Sequence, residues 1–265
     1  MLRPFLLAVA WLVLQPAGGA APAETAGMPK LAAGMPQGYL PTADLPDSLA
    51  LLPPPPAPGS AAMARDEEVS KAMARAPGTP RFNQAVSDAD LHSPHVFDTF
   101  ACAAGVVPDR QATPVLLRLL GKSLIDIGLS THKAKNHYQR TRPFVAHGNA
   151  TCFAPAEAAL RKDGSYPSGH SAIGWGWALI LAEIDPSHAN AILQRGHLFG
   201  QSRLVCNAHW ASDVDAGRTI ASATVARLHA DPTFLADLVE AKRELTAARV
   251  PEATSCAAEA RALAD

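Results

Sequence analysis

The chain carries little net charge and no concentrated run of basic residues. Its 265 residues include 23 Lys and Arg against 24 Asp and Glu, which gives a formal net charge of −1. A protein that grips the backbone of a nucleic acid needs a basic patch or stripe. The charge balance therefore argues against nucleic-acid binding.

A long hydrophobic run is also missing. No stretch of the sequence reaches the ~20 consecutive apolar residues that a membrane-spanning helix needs. We therefore expect no stable insertion into a membrane.

Strand-like patterns are absent as well. No segment alternates apolar and polar residues with β-branched and aromatic enrichment, and there is neither a repeat nor a glycine-rich nucleotide loop. Several segments instead have helical spacing, most clearly residues 113–129, where Thr113 is a candidate N-cap and Pro114 suits the first helical position. With 48% hydrophobic residues for a core, the sequence predicts an all-α fold, a single-domain helical bundle.

Metal-ligand patterns are not found. The histidines lack zinc-type spacing, and the chain has neither a Cys-x2-Cys pair nor an Asp-rich loop. The sequence therefore predicts no metal and no cofactor.

Cysteines are few but even in number. An even count in an exported chain favours two disulfides, although buried free thiols are an alternative. Because the two loops would be equal in length and would not cross, we favour the pairs Cys102–Cys152 and Cys206–Cys256. The four cysteines are Cys102, Cys152, Cys206 and Cys256.

The N-terminus has the pattern of a secretory signal peptide. Arg3 is followed by an apolar segment over residues 5–14 and then by small residues, with cleavage expected after Ala20 or Ala23. The alternative is a membrane anchor, for which the apolar segment is too short. We therefore expect residues 1–20 to be removed and the protein to be periplasmic or secreted.

The rest of the chain divides into three parts by composition. Residues 21–60 are rich in Pro and Ala and predict an extended segment, either a disordered linker or an arm that wraps the domain. Residues 61–250 have the helical patterns of the main domain. Residues 251–265 form a C-terminal tail that is expected to fray in part.

A first candidate motif is Ser202-Arg203-x5-His209-x3-Asp213. On a helix, His209 and Asp213 would share a face, so the carboxylate would fix the imidazole tautomer and leave the other ring nitrogen free as a nucleophile or base. The planar guanidinium of Arg203 matches two phosphate oxygens at once.

A second motif, Pro167-Ser168-Gly169-His170, reads as a helix start before the apolar residues 172–184. Ser168 is a good N-cap, and the backbone N–H groups of a helix N-terminus form an anion site. Gly169 lets an oxyanion approach the backbone closely. His170 would lie beside the anion, where it could donate a proton to a leaving oxygen.

A third motif is Lys135-x6-Arg142-Pro143. Its two cations are seven residues apart, so on one helix ended by Pro143 they would point the same way. Together with Arg203 they would neutralise the oxygens of a transferring phosphoryl group. Arg140, in the same stretch, is interpreted as a solvated surface residue.

Together these motifs resemble the signature of the phosphatidic acid phosphatase type 2 superfamily, and every fixed position of that signature is present. The bacterial class A non-specific acid phosphatases are the most similar group within it, because Gly164-Ser165-Tyr166 extends the second motif as it does in that class. The resemblance is specific over residues 135–213 and thin after about residue 228. It implies an α-helical fold with the active site at one end of the core helices, and it suggests a homodimer.

The resemblance also implies roles for individual residues. His209 would be the nucleophile that forms a phosphohistidine, Asp213 would orient it, and His170 would be the general acid and then the base. The reaction would be metal-independent hydrolysis of small phosphomonoesters with broad specificity. The residues that would bind the phosphate are Lys135, Arg142, Ser168, Gly169 and Arg203.

Three other functions compete with this hypothesis. A vanadate-dependent haloperoxidase would use the same cradle, but the chain is short for that group. A membrane-associated lipid phosphatase would need spanning helices that the sequence does not offer. A phosphate-binding module without turnover is disfavoured because all the candidate catalytic groups are present.

Overall fold

The computed structural model describes residues 37–248 and 255–264. The predicted signal peptide and the first part of the Pro/Ala-rich segment lie outside the described residues. The described residues are helical and contain no strand, as the sequence predicts. In chain order the helices are α1 (Ser48–Leu51), α2 (Ala61–Met73), α3 (Pro80–Ala89), α4 (Ala101–Ala104), α5 (Pro114–Ser130), α6 (His132–Tyr138), α7 (Pro143–Ala146), α8 (Ala154–Leu160), α9 (Gly169–Ile184), α10 (Ala189–Val205), α11 (Ala211–Leu228), α12 (Pro232–Ala247) and α13 (Ser255–Ala264), with 3-10 turns at Thr42–Asp44, Val96–Phe100 and Pro186–His188.

The core forms around α9, which packs against α5, α10, α11 and α12. Its apolar sequence is buried on nearly every side, as expected for a helix that is hydrophobic all round. Small residues bring α10 close to it: a Cβ on Gly174 would come 2.3 Å from the Phe199 ring, and a Cβ on Gly196 would come 2.3 Å from the Ala178 side chain. Larger residues at these positions would therefore push the two helices apart.

The N-terminus of α5 is capped from a distant part of the chain. Pro114 takes the first helical position, as predicted, and Thr113 takes the N-cap position without capping the helix through its side chain. Its hydroxyl accepts from the Asp109 backbone N–H at 2.7 Å. The carboxylate of Glu244, on α12, accepts from the N–H of Leu116 at 2.9 Å instead, which satisfies an otherwise free donor.

Two predicted helical registers are wrong. Lys135 lies on α6, which ends at Tyr138, and Gln139 follows with φ of 43°. Arg142 precedes Pro143, which begins α7 rather than ending a helix, so the two cations do not share one helix face. The left-handed residue reverses the chain between them, which sequence spacing does not reveal.

The first motif, Ser202-Arg203-x5-His209-x3-Asp213, also spans a turn rather than one helix. α10 ends at Val205 and α11 begins at Ala211, so His209 lies in the connection and Asp213 lies in the first turn of α11. Asn207, with φ of 56°, makes the reversal. The predicted shared helix face is therefore wrong.

The described part of the Pro/Ala-rich segment runs along the domain and makes specific contacts with it. The backbone N–H of Tyr39 donates to the buried carboxylate of Asp126 at 2.7 Å, and its hydroxyl donates to Asp237 at 2.7 Å. Further along, the Pro53 carbonyl accepts from the hydroxyl of Tyr166 at 2.7 Å, directly before the second motif. The sequence left open whether this segment is a disordered linker or an arm, and these contacts favour an arm. The segment boundaries at residues 20, 60 and 250 stay predictions.

The disulfides pair differently from the favoured prediction. The bonds are Cys102–Cys256 and Cys152–Cys206. The segment before α8 runs beside the end of α10, where the N–H of Cys152 donates to the carbonyl of Cys206 at 3.2 Å. Helix α13 packs on α3 and brings Cys256 to α4. Equal loop lengths carried no information about which helix ends meet.

Among the described residues, no helix has both the length and the apolar character that crossing a membrane requires.

Candidate active site

The three motifs meet where α9 begins, α10 ends and α11 begins. Backbone hydrogen bonds join them: the N–H of Ser168 donates to the carbonyl of Asp213 at 2.9 Å, and the N–H of Ser165 donates to the carbonyl of Arg140 at 2.8 Å. A Cβ on Gly217 would lie 2.5 Å from the Ser168 carbonyl, so α11 needs glycine there to approach the turn. The site therefore lies at one end of the core helices.

Three buried cations from the motifs line this end of the bundle. Lys135, Arg142 and Arg203 are exposed by only 7%, 2% and 1%. The Lys135 ammonium and the Arg142 guanidinium both donate to the Gly164 carbonyl, at 2.8 Å and 3.1 Å. Burial, together with the nearby Arg142, lowers the pKa of Lys135 to about 8.

Every nitrogen of the Arg142 guanidinium has an acceptor. Nη1 donates to the Ala208 carbonyl at 3.0 Å and to His209 Nε2 at 2.9 Å. Nη2 donates to the Gly164 carbonyl and to the Asp163 carboxylate, the latter at 3.0 Å. Of these acceptors only the His209 ring and the Asp163 carboxylate are side chains, so these are the contacts that an incoming phosphate oxygen can replace without moving backbone.

Among the described residues the guanidinium of Arg203 is less completely paired than that of Arg142, although the Asp88 carboxylate acts on its charge. Its Nε and Nη1 are buried without a hydrogen-bond partner among the described residues. Burial, together with the neighbouring Arg142, lowers its pKa to about 9. A buried guanidinium with free donors is costly unless an anion meets it. The two Arg203 donors that lack a partner among the described residues are suited to bind the oxygens of an anion.

The start of α9 supplies backbone donors to the same place. Ser168 is the N-cap, and its hydroxyl oxygen accepts from the N–H of Ser171 at 3.2 Å. The first N–H groups of a helix have no acceptor within the helix, and they bear partial positive charge. Ser168 and Gly169 therefore add an anion-binding helix end to the three cations.

The imidazole of His209 is held in one tautomer. Arginine has donors only, so the contact from Arg142 Nη1 makes Nε2 of the neutral ring an acceptor, and Nδ1 carries the proton. Nδ1 lies 3.4 Å from the Asp213 carboxylate, outside good hydrogen-bond geometry. The lone pair of Nε2 is therefore the one that faces the cations.

His170 faces the site from the first turn of α9. The Ala89 carbonyl, at the end of α3, lies 3.0 Å from its Nε2 and accepts that N–H. In the neutral ring this leaves Nδ1 as the basic nitrogen, and in the protonated ring Nδ1 becomes a donor. The backbone of α3 thus sets which nitrogen of His170 exchanges protons.

The surroundings lower the pKa of both histidines well below the usual value. Burial is the main cause for each, followed by the nearby arginines: Arg203 for His170 and Arg142 for His209. These lowered pKa values favour the neutral form of both rings in mildly acidic solution. A bound anion would reverse part of this effect.

Two further residues were missed by the sequence analysis. Arg140 was interpreted as solvated, yet its guanidinium is buried and donates to Asp213 Oδ1 at 2.6 Å and to Asp66 Oδ2 at 2.7 Å. Asp163 lies 3.0 Å from Arg142 and 3.5 Å from Lys135. No spacing rule points to either, because both act through residues distant in sequence.

No group of three or more His, Cys, Asp or Glu side chains within residues 37–248 and 255–264 is placed to hold a metal ion.

The sequence profile of the PAP2 superfamily matches residues 114–234, which include all three motifs. The chain is 45% identical over 207 residues to a non-specific acid phosphatase of Providencia stuartii, which covers 78% of this chain and 84% of that protein. It is 45% identical over 207 residues to an acid phosphatase of Zymomonas mobilis, covering 77% of each. It is 41% identical over 196 residues to a non-specific acid phosphatase of Salmonella typhimurium, covering 73% and 78%.

These matches over most of both chains show that the protein belongs to the PAP2 superfamily. Within that superfamily it is an acid phosphatase.

Anion binding should weaken as the pH rises through about 8, because Lys135 then loses its charge. Sulfate is a suitable probe, since its own charge is constant in this range. Its inhibition constant should be about fourfold higher at pH 8.5 than at pH 7 at constant ionic strength. In Lys135→Met the constant should be higher throughout and nearly flat with pH. A wild-type constant that does not change would show that Lys135 keeps its charge or lies outside the anion site.

Proposed function

We propose that the protein is a secreted, metal-independent acid phosphatase that hydrolyses phosphomonoesters through a phosphohistidine on His209. The observation that supports this best is the arrangement of anion-binding groups around one site. These groups are the Arg203 donors that lack a partner among the described residues, the α9 N-terminus and the lone pair of His209 Nε2. In this proposal Lys135, Arg142, Ser168, Gly169 and Arg203 bind the phosphoryl oxygens.

In the first step, the lone pair of His209 Nε2 attacks phosphorus. An N–P bond forms as the bond from phosphorus to the ester oxygen breaks, and that oxygen takes the electron pair together with a proton from His170 Nδ1. The Asp213 carboxylate stabilises the positive imidazole ring that results. The cradle stabilises charge on the other three oxygens, which is the largest contribution expected in phosphoryl transfer.

In the second step, water attacks the phosphohistidine. His170 Nδ1, now neutral, takes the proton from that water as the new O–P bond forms. The N–P bond breaks, its electron pair returns to His209 Nε2, and phosphate leaves. His170 is then protonated again and His209 is neutral, so both histidines are in their starting protonation states for the next substrate.

The pKa shifts support activity at acidic to neutral pH. The lowered pKa of His209 keeps it a neutral nucleophile in acid. The first step also needs a protonated His170, whose pKa is lowered by burial and by Arg203. A bound phosphate monoester brings negative charge beside both groups, and this raises the pKa of His170 in the complex.

Metal independence is proposed on the same grounds. In many phosphoryl-transfer enzymes metal ions neutralise the charge on the transferring group. Here three buried cations and a helix N-terminus would do so. Broad specificity is proposed because the relatives from Providencia stuartii and Salmonella typhimurium are named non-specific and because the candidate residues address the phosphoryl group alone.

Export and dimerisation are proposed from the sequence and the family resemblance. N-terminal sequencing of the mature protein from the periplasm would test export, and a first residue at position 1 would contradict it. Sedimentation equilibrium would test the homodimer, and a single species of monomer mass would contradict it.

The proposal predicts hydrolysis of p-nitrophenyl phosphate at about pH 6 in excess EDTA. His209→Ala should reduce kcat by at least about 10³-fold, because a missing nucleophile removes the covalent route. Rapid quench of the wild type should trap one phosphate per site on His209, stable to alkali and labile to acid.

His188→Ala is the matched control, since His188 lies at the far end of α9 from the site, and it should keep wild-type turnover. Activity that EDTA abolishes would contradict metal independence. A phosphoenzyme that persists in His209→Ala would assign the nucleophile elsewhere. Absent phosphatase activity with halide oxidation after vanadate loading would favour the haloperoxidase.

A further inference from the structure

The buried arginine beside the third motif belongs to no phosphate-binding contact described above. Arg140 lies in the connection between α6 and α7, two residues before Arg142. Its side chain is only 9% exposed, between the carboxylates of Asp66, 3% exposed, and Asp213, fully buried. A buried charge network of this kind contributes little to the stability of a fold, so we expect a functional role of Arg140.

Both terminal nitrogens of the Arg140 guanidinium donate hydrogen bonds to neighbouring side chains. Nη1 donates to Asp213 Oδ1 at 2.6 Å and to the Ser212 hydroxyl at 2.7 Å, and Nη2 donates to Asp66 Oδ2 at 2.7 Å. Asp66 Oδ1 in turn accepts from the Ser212 backbone N–H at 2.9 Å. The carboxylate of α2 thus fixes both the guanidinium and the start of α11.

Asp213 is held at both oxygens as a result. Oδ1 accepts from Arg140, and Oδ2 accepts from the Trp210 N–H at 2.8 Å while lying 3.4 Å from His209 Nδ1. The residue that faces the nucleophile is therefore oriented by an arginine on its opposite side. The arrangement forms a line from Asp66 through Arg140 and Asp213 to His209.

We propose that Arg140, anchored by Asp66, is a positioning residue that keeps Asp213 ionised and aimed at His209, so that it sets the acid limit of catalysis. This inference rests on the proposed function of His209 as nucleophile. Among the described residues, the Arg140 side chain makes no hydrogen bond to Lys135, Arg142, Arg203 or the α9 N-terminus, so its guanidinium reaches His209 through Asp213.

Electrostatics at Asp213 agree with this role. Burial raises the pKa of Asp213, and Arg140 is the largest influence that opposes the rise. Without Arg140 the carboxyl would hold its proton to higher pH. A protonated Asp213 would not stabilise the charged ring of a phosphohistidine. On acidification, activity would therefore begin to fall at a higher pH than in the wild type. The titratable and charged groups that face Asp213 are Arg140, His209, Lys135, Arg142, Tyr166 and, through Ser212, Asp66.

The test is the pH profile of kcat for p-nitrophenyl phosphate in three variants. Arg140→Met should lower kcat by about 10- to 100-fold at the wild-type optimum, with KM changed less than about threefold. The acid limb of kcat should move to higher pH by about one unit or more, because the variant loses a charged hydrogen bond that favours the ionised form of Asp213.

Two conservative variants follow the same chain of contacts. Arg140→Lys keeps the charge but loses the fork, so it should place the acid limb between those of wild type and Arg140→Met. Asp66→Asn removes the anchor of Arg140 but leaves its charge, so kcat should fall while the acid limb moves little. If Arg140→Met does not fold, these two variants carry the test, with thermal melting to confirm that each is folded.

Arg118→Met is the control, because Arg118 also donates through two nitrogens to a buried carboxylate, that of Asp237, and lies near the start of α5 rather than at the site. It should lower the melting temperature without moving the acid limb. An unchanged acid limb in Arg140→Met and Arg140→Lys would overturn the inference, and so would a large rise in KM at unchanged kcat. Failure of the proposed function would appear separately, as wild-type turnover that does not depend on His209.

Discussion

The structure is organised around a cluster of buried cations that the described residues neutralise only in part. Lys135, Arg142 and Arg203 are buried together at one end of the bundle, and Arg203 keeps two donors without a partner among the described residues. Such an arrangement is unfavourable for folding alone. The cluster is explained if it is a preorganised binding site for an anion. An enzyme that transfers a phosphoryl group needs such cations in place before the substrate binds.

The rest of the fold supplies the rigidity that holds like charges together. Backbone hydrogen bonds join the second motif to Arg140 and Asp213, and glycine at 217 lets α11 approach the turn at Ser168. The disulfide Cys152–Cys206 ties the end of α10 to the segment before α8. These contacts lie at the site itself, so they hold the buried cations together against their mutual repulsion.

The sequence was sufficient for the helical class and for the grouping of the motifs, because helix period, caps and residue chemistry are local properties. The helix over residues 113–129 was read within one residue at each end. The prediction from sequence failed where the chain reverses. Gln139 and Asn207, both in the left-handed conformation, separate residues that their spacing had placed on one helix. It also missed Arg140, whose partner Asp66 is 74 residues away, and it mispaired the cysteines, since both depend on packing between distant helices.

The most direct test of this account is the stability of Arg203→Met with and without phosphate. If the Arg203 charge is held for the anion, the variant without ligand should melt at or above the wild-type temperature, because an unpaired buried charge is removed. The wild type should gain several degrees in saturating phosphate, and the variant should gain little. A variant that melts several degrees lower without ligand, yet is stabilised by phosphate as much as the wild type, would contradict the account.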